Sequence, residues 1–291
     1  MYTSAKELLA VCEESGLSLA EMTLRHECDK TGTAREDYLK GLKERLAVMR
    51  ESGERARKSP LISLSGLTGG NAHRVAQLPP EQSYLGPLPL KAMAIALSTS
   101  EVNARMGKIV AAPTAGAAGI LPAAILIAED QLNLSEEALI EGLLVAIAIG
   151  YIIATNATVS GAEGGCQVEC GAAAAMAAGA LVYLRKGDPS AVFEAASFAL
   201  INIMGLVCDP VGGLVEFPCA LRNAGGVVNA MSAADLALAG VTSLVPFDEV
   251  VQALYEVGCA LPVQYRETAQ GGMATTPSAR QACTSCGLKS D

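Results

Sequence analysis

The 291-residue chain has no tryptophan, four phenylalanines and two histidines, and aromatic side chains make up only 4% of it. A core without large rings must be filled by small and aliphatic side chains. Ala, Gly, Leu, Ile and Val supply them, with apolar residues at 51% and a mean hydropathy of +0.35. Small side chains let helix backbones approach closely, so the expected body is tightly packed and mostly helical. Basic residues are also scarce. The 21 Lys and Arg against 30 Asp and Glu leave a net charge of −9, which argues against nucleic acid, since a phosphate backbone is met by clustered Lys and Arg. Period-two alternation nowhere lasts beyond a few residues, so the expected fold class is all-α. Neither G-x-x-x-x-G-K-[ST] nor a strand-flanked G-x-G-x-x-G occurs, which sets nucleotide binding aside. The opening MYTSAKELLAVCEE lacks a charged-then-apolar leader. A cytoplasmic location is therefore expected, with the nine cysteines reduced, catalytic or metal-bound rather than disulfide-paired.

Two uncharged runs, 109–128 and 142–162, are each long enough to span a bilayer. The first is broken by Pro113, Gly116, Gly119 and Pro122; the second carries Thr155, Asn156, Thr158 and Ser160 and no basic flank. Both are expected as buried core helices, with no membrane partner. Residues 4 to about 58 read as two charged amphipathic helices parted at Gly32, the second with Leu39, Leu42, Leu46 and Met49 on one face and stopped by Pro60. Further helices are expected at 89–106, 121–131, from Ser135 to about Ala154, 166–186, from Pro189 to near Gly205, and after Pro218. There is no repeat and no clear linker. The chain reads as a single unit, with N-terminal helices over 1–60 and a catalytic core over 61–291.

Three of the cysteines lie in turns marked by glycine and proline: Cys166 in GAEGGCQVEC, Cys208 in GLVCDPVGG and Cys219 in VEFPCALRN. Cys166 and Cys219 stand at expected helix starts, where the dipole lowers a thiol pKa and favours anionic ligands. An odd number of such thiols suggests an iron–sulfur cluster with one iron open as a Lewis acid. Their intervals, 42 and 11 residues, do not match compact ferredoxin motifs, and buried cysteines acting as small hydrophobes are the competing reading. Cys170, one turn after Cys166, can face the same site. Cys283 and Cys286 form a C-x-x-C, half of a zinc site at most. Cys12, Cys28 and Cys259 fall in helical patterns. His26, on a charged helix, is expected to face solvent, which leaves His73 as the one imidazole candidate for a base. SGLTGGNA, PTAGAAG, SGAEGGC and DPVGG are either tight turns or nests of backbone N–H groups for a small anion.

Taken together, GLTGGNA, EVNARMGKIVAAPTAGAAGILPA, SGAEGGCQVECG, GLVCDPVGGLVEFPCALRNA, AADLALAG and YRETAQGGMATTP resemble the α chain of the iron–sulfur-dependent L-serine dehydratases over nearly the whole length. The resemblance implies that Cys166, Cys208 and Cys219 bind a [4Fe–4S] cluster whose fourth iron meets L-serine, yielding pyruvate and ammonia. Cys170 is not implied as a ligand. It further implies a separate β subunit in an α–β hetero-oligomer, because the chain begins with the catalytic portion and ends soon after it. In single-chain relatives a C-terminal cysteine can cap the open iron, a role open here to Cys283 or Cys286. Backbone groups of Thr68, Gly69, Gly70 and Asn71, and of Thr114, Ala115 and Gly116, are the candidates for holding substrate. TGGNA departs from the family's TGGDA, so Asn71 cannot serve as a carboxylate base. The rival functions are an L-cysteine desulfidase on the same open iron and a non-catalytic iron–sulfur sensor.

Overall fold

Serine caps and left-handed glycines divide the N-terminal segment of the computed structural model, which describes residues 2–285. Helix α1 (Ala5–Ser15) starts on Ser4, whose hydroxyl accepts from the Glu7 amide, and ends at Gly16 with φ +68. Helix α2 (Leu19–Thr31) repeats the pattern between Ser18 and Gly32. The expected pair of helices is thus three, because Gly16 and Ser18 break the chain where only Gly32 was weighed. Helix α3 (Arg35–Lys58) buries Leu42, Leu46 and Met49.

A short α4 (Asn71–Ala76) leads through a proline-rich connection to α5 (Pro87–Ala104). Then follow α6 (Ile120–Leu132), α7 (Glu136–Asn156), capped by Ser135, and the single turn α8 (Gly161–Gly164). Next come α9 (Cys166–Leu184), α10 (Pro189–Ile201) and α11 (Cys219–Leu238). The described chain closes with α12 (Phe247–Ala260), which contains Cys259 and its helical pattern, and α13 (Pro277–Ser285). Among the described residues there is no strand, only isolated bridges joining Ile62 to Gly69 and Cys208 to Arg266.

Helix α9 is the central element, packed by α6, α7, α10 and α11, and every residue from Cys166 to Ala180 is buried. Its alanines and glycines set the interhelical distance. A Cβ on Gly179 would lie 2.2 Å from the Ile149 side chain, so α7 approaches as closely as it does only over glycine. By length and composition Ala115–Leu132, α7 and α9 are apolar enough to cross a membrane. The same apolar core takes in Leu8, Leu19, Leu24 and Leu46 of the N-terminal helices.

One N-terminal expectation is overturned. His26 is 3% exposed, because it lies on the face of α2 that packs on α7. Its ring lies 4.4 Å from that of Tyr2 and 4.8 Å from that of Tyr151. Neither ring nitrogen has a partner, and burial lowers the pKa, so the imidazole stays neutral.

Candidate metal centre

The thiol centre forms where α9 and α11 begin and where the loop after α10 is tied to both. Gly165 turns the chain with φ +77, and a Cβ there would lie 3.0 Å from the Leu206 carbonyl. Glycine alone meets both demands, and Cys166 becomes the first residue of α9. Gln167 fastens the loop twice: its amide donates to Leu206 O at 2.9 Å and its Oε1 accepts from the Gly205 amide at 2.7 Å. On the far side Arg222, three residues after Cys219, donates to Val207 O at 2.9 Å and pairs with Asp209 at 2.8 Å. Asp209 also accepts from the Met273 amide at 2.7 Å, which brings the 265–276 segment over the centre.

Cys166, Cys170, Cys208 and Cys219 are all buried, and Cys166 Sγ lies 3.3 Å from Cys170 Sγ. The reading of these cysteines as scattered hydrophobes does not describe this arrangement. The Cys170 thiol, then Cys208, then the Arg222 charge hold the Cys166 pKa well below the ordinary thiol value. Cys170 and Cys208 move upward, each donating toward Cys166, and burial pushes Cys219 to about 12. Neighbouring thiols and a guanidinium thus favour loss of the Cys166 proton over the others, and metal loading at the remaining sulfurs must displace protons. Cys170 shares the site although nothing assigns it as a ligand.

Two carboxylates complete the wall. Glu169, one turn into α9, accepts from Cys208 Sγ at 3.8 Å and is raised to about 7 by burial, with the charges of Cys166 and Glu267 adding to the shift. The Glu169 and Glu267 carboxylates and Cys208 Sγ lie within 4.8 Å of one another. Glu267 arrives from about a hundred residues away, its amide donating to Cys208 O at 2.8 Å.

The two glycine loops proposed for substrate differ. Thr114, Ala115 and Gly116 lie beside the thiols, and their amides find no acceptor among the described residues. Asn223, in the second turn of α11, anchors this loop: it donates to Gly116 O at 2.6 Å and to Cys219 O at 2.9 Å, and it accepts from the Gly119 amide at 2.8 Å. The buried Thr114 hydroxyl faces the Glu169 carboxyl group and opposes the rise in its pKa. In the other loop the amides of Thr68, Gly70 and Asn71 donate to Ser63 Oγ, Leu61 O and Glu101. Thr68, Gly69 and Asn71 line a groove of about 320 Å³ that also contains Phe217, Ala220 and Leu221, next to Cys219.

His73 is held on α4 with Nδ1 2.9 Å from the Arg57 carbonyl, at the end of α3. Cys283 lies against the 211–213 turn, its sulfur 3.1 Å from where a Gly212 Cβ would stand, while Cys286 lies outside the described residues. Sequence reasoning missed Glu169, Asp209, Arg222, Asn223 and Glu267. Glu169 carried a signal one turn beyond Cys166, as did Arg222 and Asn223 one turn beyond Cys219 on the same helical face.

The loops of an all-helical bundle thus gather four buried thiols, a guanidinium and an acidic pair, a donor set compatible with a metal. A profile of the family described as Serine dehydratase alpha chain matches residues 14–274. The "Probable L-serine dehydratase, alpha chain" of Bacillus subtilis (strain 168) is 43% identical over 282 residues, covering 97% of this chain and 94% of its own length. The "L-serine dehydratase, alpha chain" of Peptoniphilus asaccharolyticus is 46% identical over 275 residues, 94% of each chain. "L-serine dehydratase 2" of Escherichia coli (strain K12) is 37% identical over 94% of this chain, which spans 61% of that relative. The chain belongs to the serine dehydratase alpha chain family.

Proposed function

We propose that the chain is the α subunit of an L-serine dehydratase that works with a separate β subunit, and that Cys166, Cys208 and Cys219 hold a [4Fe–4S] cluster. The observation that carries this reading is the meeting of buried thiols from three distant segments beside a set of open amides, in a chain of this family. The donor set fits such a cluster: the sulfurs are soft ligands, shielded from water, and Arg222 offsets their charge. When bound, the cluster supplies a Lewis-acidic iron for the substrate hydroxyl.

The chain's own residues do the rest. The amides of Thr114, Ala115 and Gly116 receive the substrate carboxylate, and Asn223 keeps that loop against the Cys219 turn. Arg222 and Asp209 hold the Cys208 loop in register with α11. Thr68, Gly69 and Asn71 line a neighbouring groove with Phe217 and Ala220, the residues on either side of the Pro218–Cys219 turn. Loss of the α-proton and the β-hydroxide from serine gives 2-aminoacrylate and water. Its imine tautomer then takes up water to yield pyruvate and ammonia, so the water lost equals the water consumed.

Anaerobically reconstituted chain with its β partner is expected to release pyruvate from L-serine, and Cys208→Ala is expected to lose both iron and activity. Pyruvate release by Cys208→Ala with its iron intact would defeat the ligand assignment. Sulfide release from L-cysteine outpacing L-serine turnover would shift the reading to a desulfidase.

A further inference from the structure

Glu169 and Glu267 bring two carboxylates to one place without a cation of their own. Glu169 is 8% exposed, and the cations nearby are engaged elsewhere, Arg222 with Asp209 and Arg266 with the Glu163 carbonyl. Neither carboxylate forms an ion pair among the described residues. Two acidic side chains this close, with no cation between them, stay together only because the surrounding structure imposes it.

That structure is specific. Glu267 adopts φ +64, a left-handed conformation unfavourable for a residue with a Cβ, and the bonds of Cys208 to the Tyr265 carbonyl and the Glu267 amide pin it there. On one side a Cβ on Gly161 would fall 2.5 Å from a Glu169 carboxylate oxygen and 3.2 Å from one of Glu267. On the other, a Cβ on Gly116 would fall 3.3 Å from Glu169 Oε1. Two glycines thus let the backbone pack directly against the acidic pair, which adjoins the free amides of Thr114, Ala115 and Gly116.

We infer that Glu169 and Glu267 clamp the α-ammonium group of an amino-acid substrate, an inference that rests on the dehydratase reading above. An α-amino acid carries its carboxylate and ammonium on one carbon, so an anion-binding and a cation-binding subsite must touch. Here they meet at Gly116. The pair makes the site selective for α-amino acids over acids lacking the amine, because only the former neutralise it on binding.

The test uses the reconstituted α–β complex and two inert inhibitors of pyruvate release: L-alanine, which has the ammonium, and propionate, which lacks it. In the isosteric variants Glu267→Gln and Glu169→Gln, the KM for L-serine and the Ki for L-alanine should rise roughly 10- to 100-fold. The Ki for propionate should stay constant or fall, since a repelling charge has gone. A general disturbance of the site would instead weaken both inhibitors equally, and that result, or no change in either, overturns the clamp. Should Glu169→Gln lose iron, Glu267→Gln, altered at an exposed side chain, decides the matter. A wild-type complex that prefers L-alanine to propionate in direct binding calorimetry but makes no pyruvate overturns the dehydratase reading while upholding the clamp.

Discussion

The loop at 66–71 and the loop at 113–117 are both built from glycine and small residues, and by composition both offer free backbone amides. Folding treats them differently. The first largely closes on itself: Ser63 Oγ, Leu61 O and the Glu101 carboxylate, which also accepts from the Ala72 amide, take the Thr68, Gly70 and Asn71 donors and leave only the Gly69 amide without an acceptor among them. The buried Glu101 side chain, whose pKa burial raises, is a built-in acceptor for the Asn71 and Ala72 amides at the start of α4. The second loop is held by its carbonyl and by the Gly119 amide, through Asn223, so Thr114, Ala115 and Gly116 keep their N–H groups free beside the thiols. A glycine-rich sequence therefore predicts conformational freedom, whereas the vacancy of an amide depends on which acceptors the fold delivers to it.

The contrast can be broken by substitution. The largest effect is expected for Gly116→Val, which fills the space against Glu169: kcat/KM for L-serine should fall by about 10²-fold or more with iron retained, as steady-state kinetics and iron analysis would report. Wild-type kinetics in that variant would remove the 113–117 loop from the site. Next, Glu101→Ala should cost about 1–3 kcal/mol of stability in urea titration, because the Asn71 and Ala72 amides lose a buried acceptor. If that variant instead kept its stability and lost substrate affinity, the 66–71 loop would be the cradle and the comparison would reverse. The smallest effect belongs to Asn71→Asp. The Asn71 side chain only accepts from Arg74 at 3.2 Å on the groove surface, so kcat/KM is expected to shift by about twofold or less. A gain of tenfold would show that the family's aspartate has a chemical role that this chain lacks.

Much of the helical order was legible in particular residues. Ser135 caps α7, Asp188 and Pro189 open α10, and Cys219 follows Pro218 at the start of α11, as the caps and prolines predict. The helical pattern at Cys259 belongs to α12, where Phe247, Val250, Val251, Leu254 and Gly258 follow the helical spacing and are buried. His26 was misplaced because the charges of α2 suggest an exposed helix, while one stripe of it, shared with Leu19 and Leu24, packs inward. At the site, the thiols of Cys166, Cys208 and Cys219 were singled out by their turns and by family resemblance. Their company was not, because Asp209 and Arg222, or Gly116 and Asn223, pair across 13 and 107 residues of sequence.

By itself, the sequence determines that this chain is helical, that its helices pack through small side chains, and that it carries the serine dehydratase alpha chain pattern with its turn-borne cysteines. These properties rest on periodicity, capping and side-chain volume, which act over a few neighbouring residues. Tertiary structure alone decided that the amides of Thr114, Ala115 and Gly116 stay free while most of those at 66–71 are taken, and that Glu267 comes to lie beside Glu169. Each of those outcomes depends on a donor, an acceptor or a charge brought in by a remote segment, which no local pattern encodes.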